Sequence, residues 1–114
     1  MPYVQIRLGV NASDREQSDL QSKITDAVSI ALSKPKAYIM AEIENNCSLY
    51  MAGQKLNKGA YISIKLLGNA AKPACQGLTK NICDILNHDF GIEGSKVYVT
   101  YHPVDLWGWN GSMF

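Results

Sequence analysis

The sequence has little cysteine, and the cysteines it has do not suit a disulfide or a metal site. It contains three in 114 residues, Cys47, Cys75 and Cys83, and no C-x-x-C pair. The last two fall in one predicted helix, about 12 Å apart along its axis, which is too far for a disulfide bond. These spacings argue against a disulfide framework, a dithiol redox site and a zinc ribbon, so we expect reduced thiols packed as small hydrophobes.

A strong charge imbalance and long apolar runs are also missing. The formal net charge is +1 and 18% of the residues are charged, which gives no reason to expect nucleic acid or an anionic membrane as a partner. No apolar run approaches the length of a membrane span, and the N-terminus lacks the pattern of a signal peptide. We therefore expect a cytoplasmic protein, with secretion by a leaderless route left open. Residues 1–114 are enough for a single domain with its own core.

In the first half of the chain, apolar residues first alternate with polar ones and then recur with the period of a helix. Residues 3–8 place apolar side chains at every second position, which predicts a half-buried strand. Ser13 and Glu16 form a capping-box pattern at the start of a helix, and Pro35 stops that helix shortly before itself. A second alternating strand is predicted over 37–44. The apolar stripe of the helix consists of Leu20, Ile24, Ala27, Val28, Ala31 and Leu32.

A short hairpin and a solvated loop lead to a second half with the same pattern. Residues 49–51 predict a short strand that pairs back as a hairpin, and residues 52–59 predict a loop. A strand, a helix, a strand and one further short strand follow. Their predicted ranges are 60–67, 73–90, 97–101 and 106–109, with Pro73 in the first helical turn and Gly91 at the helix end.

The two halves predict an α+β fold built from two β-α-β units. Right-handed crossovers make each strand pair parallel, and the two pairs form one four-stranded mixed sheet with both helices on one face. The opposite face would carry tyrosines from both halves, namely Tyr3, Tyr38, Tyr61 and Tyr98. This is too much aromatic surface to leave in water, so we expect an oligomer that covers it.

The start Met1-Pro2 allows a specific chemistry. A small second residue favours removal of the methionine, which would leave proline with a free secondary amine. Burial and a nearby cation lower the pKa of such an amine, and a base whose pKa lies near the working pH is an effective general base. The alternative is that Pro2 only opens a strand. With Met1 in place the Pro2 nitrogen belongs to an amide, and we expect that form to be inactive.

Several short segments form a pattern that is spread over the whole chain. They are Met1-Pro2, Ser33-Lys34-Pro35, Tyr38-Ile39-Met40, Ser63-Ile64, Val97-Tyr98-Val99 and the C-terminal run from Gly108 to Phe114. In their order and spacing they resemble the macrophage migration inhibitory factor family of the tautomerase superfamily. The resemblance implies the tautomerase fold and a homotrimer whose active sites lie between subunits.

The resemblance also implies roles for individual residues. Pro2 would be the catalytic base, Lys34 would bring a positive charge to the substrate, and Ile64 would supply a backbone contact. Tyr98 and Thr100 would come from the neighbouring subunit. The other substrate-binding residues that we predict are Tyr3, Trp107, Trp109 and Phe114.

Some positions depart from the family pattern or have a simpler interpretation. Thr100 stands where the family often has Asn, so the substrate preference can differ. Residues 56–59 replace a C-x-x-C of the mammalian factor, which argues against a thiol-reductase role. Lys34 would also suit a helix end, where a cation interacts well with the helix dipole. His88 and His102 are isolated in the sequence, as surface and packing histidines usually are.

The leading hypothesis is a keto–enol tautomerase, an isomerase that acts on phenylpyruvate- or dopachrome-type substrates without cofactor or metal. The expected partners are two further copies in a homotrimer and a small aromatic keto acid, with a cell-surface receptor as a candidate; nucleic acid and membranes are not expected. One alternative is a secreted, cytokine-like signalling protein with a vestigial or secondary tautomerase pocket. Another is a two-layer regulatory module that binds a small ligand.

Overall fold

Four long strands and two helices make up most of the chain, which a computed structural model describes over residues 1–114. Two short hairpins complete it, and none of the helices is long and apolar enough to cross a membrane. In chain order the elements are β1 (Pro2–Leu8), α1 (Asp14–Leu32), β2 (Met40–Glu44), β3 (Tyr50–Met51), β4 (Gln54–Lys55), β5 (Ala60–Leu67), α2 (Lys72–Phe90), β6 (Val97–Val104), β7 (Gly108–Trp109) and β8 (Ser112–Met113).

The main sheet has the strand order β2-β1-β5-β6. β1 pairs with β2 in parallel across α1, and β5 pairs with β6 in parallel across α2. The two units meet where β1 and β5 run antiparallel, with Val4 opposite Ile64 at the middle of the pair. The prediction of two β-α-β units in one mixed sheet is therefore confirmed.

The core lies between one face of this sheet and the two helices. Val4, Ile6 and Leu8 of β1 are fully buried, as the alternation predicts. The helices contribute one buried residue per turn to the same cluster, because residues three and four apart share a helix face. Burying each such aliphatic side chain contributes about 1.5–3 kcal/mol. The helical part of the core comprises Leu20, Ile24, Val28, Leu78, Ile82 and Leu86.

The helix ends follow the sequence signals. At the start of α1 the Glu16 N–H donates to Ser13 Oγ at 3.2 Å, and the Ser13 N–H donates to Glu16 Oε1 at 2.9 Å, which completes the capping box. α1 ends at Leu32, and Ser33 turns the chain in the left-handed conformation with φ 54°. Gly91, with φ 69°, ends α2 in the same way.

The structure corrects the strand predicted over 37–44. Lys36–Tyr38 form a turn of 3-10 helix, with the Tyr38 and Ile39 N–H groups donating to Pro35 and Lys36 carbonyls at 3.1 Å. The parallel ladder with β1 starts only where Tyr3 faces Met40, because the N–H groups of Tyr38 and Ile39 are already bonded within this turn. Tyr38 therefore lies beside the sheet and not on the open face, where we predicted it.

The short elements also differ in detail from the predictions. β3 and β4 form a hairpin of their own across Ala52 and Gly53, so the predicted 52–59 loop contains a short strand. The short strand predicted at 106–109 is reduced to β7, which pairs with β8 across Asn110 and Gly111. Both turn residues have positive φ, which suits an Asn-Gly hairpin turn.

The sheet face opposite the helices, here called the open face, is polar and aromatic. The Tyr3 hydroxyl donates to Glu42, and Arg7 pairs with Glu44 at 3.6 Å. Tyr98, on the edge strand β6, is 66% exposed. The outward side chains of the four strands are Met40, Glu42 and Glu44; Tyr3, Gln5 and Arg7; Tyr61, Ser63, Lys65 and Leu67; and Tyr98, Thr100, His102 and Val104.

Candidate active site

An open cleft of about 760 Å³ lies at the start of β1, and we call it the N-terminal cleft. Most of its lining is apolar or aromatic. Six parts of the chain contribute: the start of β1, the 3-10 turn, the start of β2, the end of β5, the end of β6 and the β7 hairpin. The lining residues are Met1, Pro2, Tyr3, Ala37, Tyr38, Ile39, Met40, Lys65, Val104, Trp107, Gly108 and Trp109.

Aromatic side chains form one wall of the N-terminal cleft. The rings of Tyr38 and Trp109 meet edge to face, with centroids 5.5 Å apart. Phe114 stacks on the other side of Trp109 at 5.7 Å, and its N–H donates to the Trp107 carbonyl at 3.0 Å. The C-terminal hairpin is thus held against the N-terminal end of the sheet by ring packing.

The first residue is held inside the cleft by its backbone. The Met1 ammonium donates to the Tyr38 carbonyl at 3.0 Å, and the Leu67 N–H donates to the Met1 carbonyl at 3.3 Å. That carbonyl acylates the Pro2 nitrogen, so the nitrogen carries no basic lone pair in this form. Partial burial, and then the charge of Lys34, lower the pKa of the Met1 amino group below its ordinary value.

Lys34 reaches this point from the turn after α1. Its Nζ lies 3.4 Å from the Leu67 carbonyl at the end of β5. Its own backbone is fixed, because its N–H donates to the Ser29 carbonyl at 3.1 Å and its carbonyl accepts from Ser29 Oγ at 2.6 Å. The ammonium therefore contacts a strand carbonyl beside the chain start and not the carbonyls that end α1.

This arrangement of an apolar cleft, a chain-start proline and an adjacent lysine matches one known family. The family model described as "Macrophage migration inhibitory factor (MIF)" matches residues 1–114. The chain belongs to the macrophage migration inhibitory factor family. Macrophage migration inhibitory factor of Xenopus laevis is 31% identical over 116 residues, covering 100% of this chain and 99% of the relative. Membership supports a tautomerase or cytokine-like function in general.

Solved structures share the fold at lower identity. Leishmania major MIF2 has a TM-score of 0.91 and 24% identity, covering 100% of this chain and 97% of that chain. The macrophage migration inhibitory factor-like protein of Entamoeba histolytica has a TM-score of 0.89 and 23% identity, covering 99% and 98%. A fused 4-OT described as a symmetric trimer has a TM-score of 0.85 and 15% identity, covering 96% and 93%. These likenesses confirm the tautomerase fold.

The structure brings most of the predicted site residues together in one chain. Pro2, Tyr3, Trp107 and Trp109 line the N-terminal cleft. Phe114 stacks on Trp109, and the charge of Lys34 lowers the pKa of the Met1 amino group. The assignment of Pro2 as a base and of the others as substrate-binding residues stays a prediction.

The side chain of Ile64 is fully buried in the core, and Ile64 faces Val4 and Tyr101 in the middle of the sheet. Because successive strand residues point to opposite faces, the next residue, Lys65, lies on the open face and lines the cleft. The backbone contact that the family resemblance implies for Ile64 does not depend on the direction of its side chain, and it stays a prediction.

Tyr98 and Thr100 lie outside the N-terminal cleft of their own chain. Both are on the outward side of β6, and the Thr100 hydroxyl is 2.7 Å from both the Tyr61 hydroxyl and His102 Nε2. His102 is thus part of a polar row on the open face. A role for Tyr98 and Thr100 in a neighbouring subunit's site stays a prediction.

Sequence reasoning missed several lining residues. The predicted site did not include Tyr38, Met40, Lys65 or Val104, all of which line the cleft. The available signal was the pairing of Tyr3 with Lys65, which follows once β1 and β5 are placed side by side. No group of three or more His, Cys, Asp or Glu residues is arranged to hold a metal ion, and the three cysteines are unpaired.

Proposed function

We propose that this chain is a keto–enol tautomerase that uses the Pro2 amine as its general base once Met1 has been removed. Its substrates are aromatic 2-oxo acids of the phenylpyruvate or dopachrome type. The observation that carries the proposal is the position of the Pro2 nitrogen: it lies in an apolar cleft, beside an amine whose pKa is lowered by burial and by Lys34.

The reaction needs a base that takes a proton from the carbon next to the carbonyl. The protonated base then gives this proton to the carbonyl oxygen, which forms the enol. A neutral amine near pH 7 can do both. The Met1 amino group indicates how the cleft affects an amine, since its nitrogen and the Pro2 nitrogen belong to consecutive residues. Its lowered pKa supports a similarly lowered pKa for a free Pro2 amine, which would lie deeper in the same cleft.

The rest of the cleft suits the rest of such a substrate. Lys34 would hold the carboxylate of the 2-oxo acid, as the family resemblance also implies. The ring would pack against Tyr38 and Trp109, which already interact with each other at 5.5 Å. Removal of Met1 would free the Leu67 N–H and the Tyr38 carbonyl, which Met1 now engages, for the substrate.

A homotrimer forms part of the proposal. The edge strands β2 and β6 have no partner on their outer sides, and Met40 and Tyr98 on them are 68% and 66% exposed. Free edges and exposed apolar side chains favour association. In such an assembly Tyr98 and Thr100 would border the cleft of a neighbouring copy, as the resemblance implies.

The decisive experiment compares two N-termini. The chain that starts with Pro2, verified by intact mass, is assayed with phenylpyruvate beside a variant in which an alanine precedes Pro2. We expect activity only in the first protein, because the inserted residue turns the Pro2 nitrogen into an amide without touching the core. Equal activity in both proteins would remove Pro2 from the mechanism.

A covalent probe provides a second readout. A structure of similar fold, 19% identical to this chain with a TM-score of 0.86, is described as Pt0534 inactivated by 2-oxo-3-pentynoate. A free Pro2 amine should add to the triple bond of this 2-oxo acid, giving a stable adduct with the mass of the whole reagent. We expect the adduct on Pro2 of the processed chain and none on the alanine-extended variant.

The cytokine-like alternative rests on family membership and concerns the same chain. It predicts binding to a cell-surface receptor that survives loss of the base. Following both receptor-dependent signalling and tautomerase activity in the variant in which an alanine precedes Pro2 separates the two functions. Secretion and cytoplasmic location stay predictions.

A further inference from the structure

The N-terminal cleft contains a positive charge that the proposed mechanism does not use. Lys65 is the one charged side chain that lines it, and no acidic residue does. Its ammonium lies over the ring of Tyr3, 5.9 Å from the centroid, at the outer limit of a cation–π contact. No carboxylate lies within 4.0 Å of it, because the ion pairs of the chain involve other residues.

The acidic side chain that contacts Tyr3 on the open face is already engaged in a hydrogen bond. Glu42 lies on β2, and its carboxylate accepts a hydrogen bond from the Tyr3 hydroxyl. This bond, which is the largest cause, raises the pKa of Tyr3, so Tyr3 stays a neutral donor to Glu42. Tyr3 thus contacts Glu42 through its hydroxyl and Lys65 through its ring, and Glu42 and Lys65 form no ion pair with each other.

Lys65 and Lys34 approach the cleft from different elements. Lys34 comes from the turn after α1 and contacts the Leu67 carbonyl, whereas Lys65 extends from the open face of β5, directly opposite Tyr3. One carboxylate at Lys34 would leave Lys65 without a counter-charge next to apolar walls. The attraction between an ammonium and a bound anion is stronger beside apolar walls than in bulk water, because the local dielectric constant is lower.

We propose that Lys65 binds a second anionic group of the substrate, remote from the 2-oxo acid carboxylate. The inference rests on the proposed tautomerase function and names its substrate class: 2-oxo acids that carry another carboxylate or a comparable anion at the far end. In this arrangement Lys34 orients the reacting end, and Lys65 is a specificity-determining residue that selects dianions.

The test uses two substrates that share their reacting atoms. Phenylpyruvate and 4-carboxyphenylpyruvate differ only by a carboxylate on the ring, and both are assayed with the processed chain. We expect kcat/KM to favour the carboxylated substrate roughly 10–100-fold, the range of one charge-assisted hydrogen bond. In Lys65→Met this ratio should fall to about one, and Lys65→Arg should restore most of it.

A matched control removes the same charge elsewhere. Lys55 lies on the exposed β4 strand, away from the cleft, so Lys55→Met should keep the wild-type ratio.

A binding measurement that needs no turnover accompanies the kinetics. The dissociation constants of cinnamate and 4-carboxycinnamate, measured by calorimetry, should show the same preference in the wild type and its loss in Lys65→Met.

The two proposals fail in different ways. If the processed wild type turns over neither substrate, the tautomerase function is contradicted, while a 4-carboxycinnamate preference that depends on Lys65 would still support the dianion site. If phenylpyruvate is turned over but the substrate and ligand ratios are the same in wild type and Lys65→Met, the inference about Lys65 is overturned and the tautomerase function stands.

Discussion

The Lys34 ammonium and the Met1 amino group act on each other at the mouth of the N-terminal cleft. The positive charge of Lys34 is the second cause, after burial, that lowers the pKa of the Met1 amine. Leu67 contacts both residues: its carbonyl accepts from Lys34 Nζ, and its N–H donates to the Met1 carbonyl. A strand residue in the second β-α-β unit thereby links a helix end and a chain start that belong to the first.

Lys34→Met is expected to change kinetics more than stability. Removing a nearby positive charge makes protonation of the Pro2 amine easier and raises its pKa. The acidic limb of the kcat/KM profile for phenylpyruvate should therefore move to higher pH, and KM should rise because the carboxylate loses its partner. Lys80→Met, which removes an exposed lysine of α2, is the control and should leave both unchanged.

The helix-end interpretation of Lys34 makes the opposite prediction. A cation that only interacts with the helix dipole contributes about 0.3–1 kcal/mol to stability and nothing to turnover. A pH profile and KM that are identical in wild type and Lys34→Met would establish that role and exclude the catalytic one.

Asp89→Asn should weaken the contact between the two helices. Lys23 of α1 donates to both Asp89 carboxylate oxygens at 3.0 and 2.8 Å, and the side chain of Asp89 is only 16% exposed. We expect a loss of about 1 kcal/mol in the free energy of unfolding at pH 7. Asp84→Asn, which breaks the more exposed pair with Lys80, should cost less in the same urea titration.

The pH dependence of this contact has a definite sign. Hydrogen bonds from His88 and then Lys23 hold the pKa of Asp89 below its ordinary value of 3.8. Between the two values the unfolded chain binds more protons than the native one, so stability falls as pH falls through that window. The advantage of wild type over Asp89→Asn should be constant above about pH 5 and shrink towards pH 3. An advantage that stays unchanged down to pH 3 would contradict the assignment.

Ser13→Ala should cost about 1 kcal/mol in the free energy of unfolding, because the Glu16 N–H loses the Ser13 Oγ that accepts its hydrogen bond, while the bond from the residue 13 N–H to Glu16 Oε1 remains possible. The matched control is Ser18→Ala, an exposed position inside the same helix, where alanine has the better helix propensity. Thermal unfolding of both variants measures the difference. Equal melting temperatures would show that the capping box is dispensable.

Multi-angle light scattering at micromolar concentration should give three times the chain mass of 12.6 kDa. Tyr98→Asp, which places a charge on the outer side of β6, should lower this mass and the tautomerase activity together. Ile30→Asp is the control: Ile30 is even more exposed, at 81%, but lies on α1 and away from the sheet edges. A monomeric wild type would contradict both the trimer and a site shared between subunits.

The sequence predicts best what depends on neighbouring residues. The alternation of Val4, Ile6 and Leu8 and the capping box at Ser13 are local patterns, and each reappears in the structure as predicted. The 3-10 turn at residues 36–38 could not be read in this way, because what limits the following strand is its register with β1, which lies far away in the sequence.

The candidate site shows the same division. Pro2, Trp107 and Trp109 were predicted as site residues from the family resemblance, and all three line the cleft. Lys65 was not predicted there, because nothing in the local sequence of β5 shows what lies beside it in the sheet. Only the pairing of Tyr3 with Lys65 across two strands brings Lys65 to the cleft.

The hydrogen bonds of Met1 bear on the timing of its removal. In the folded chain the Met1 ammonium donates to the Tyr38 carbonyl and the Met1 carbonyl accepts from the Leu67 N–H, so an aminopeptidase has to displace both contacts. Each such bond contributes only about 0.5–1.5 kcal/mol. We therefore expect methionine excision to be slower from the folded chain than from the nascent one, and not to be blocked.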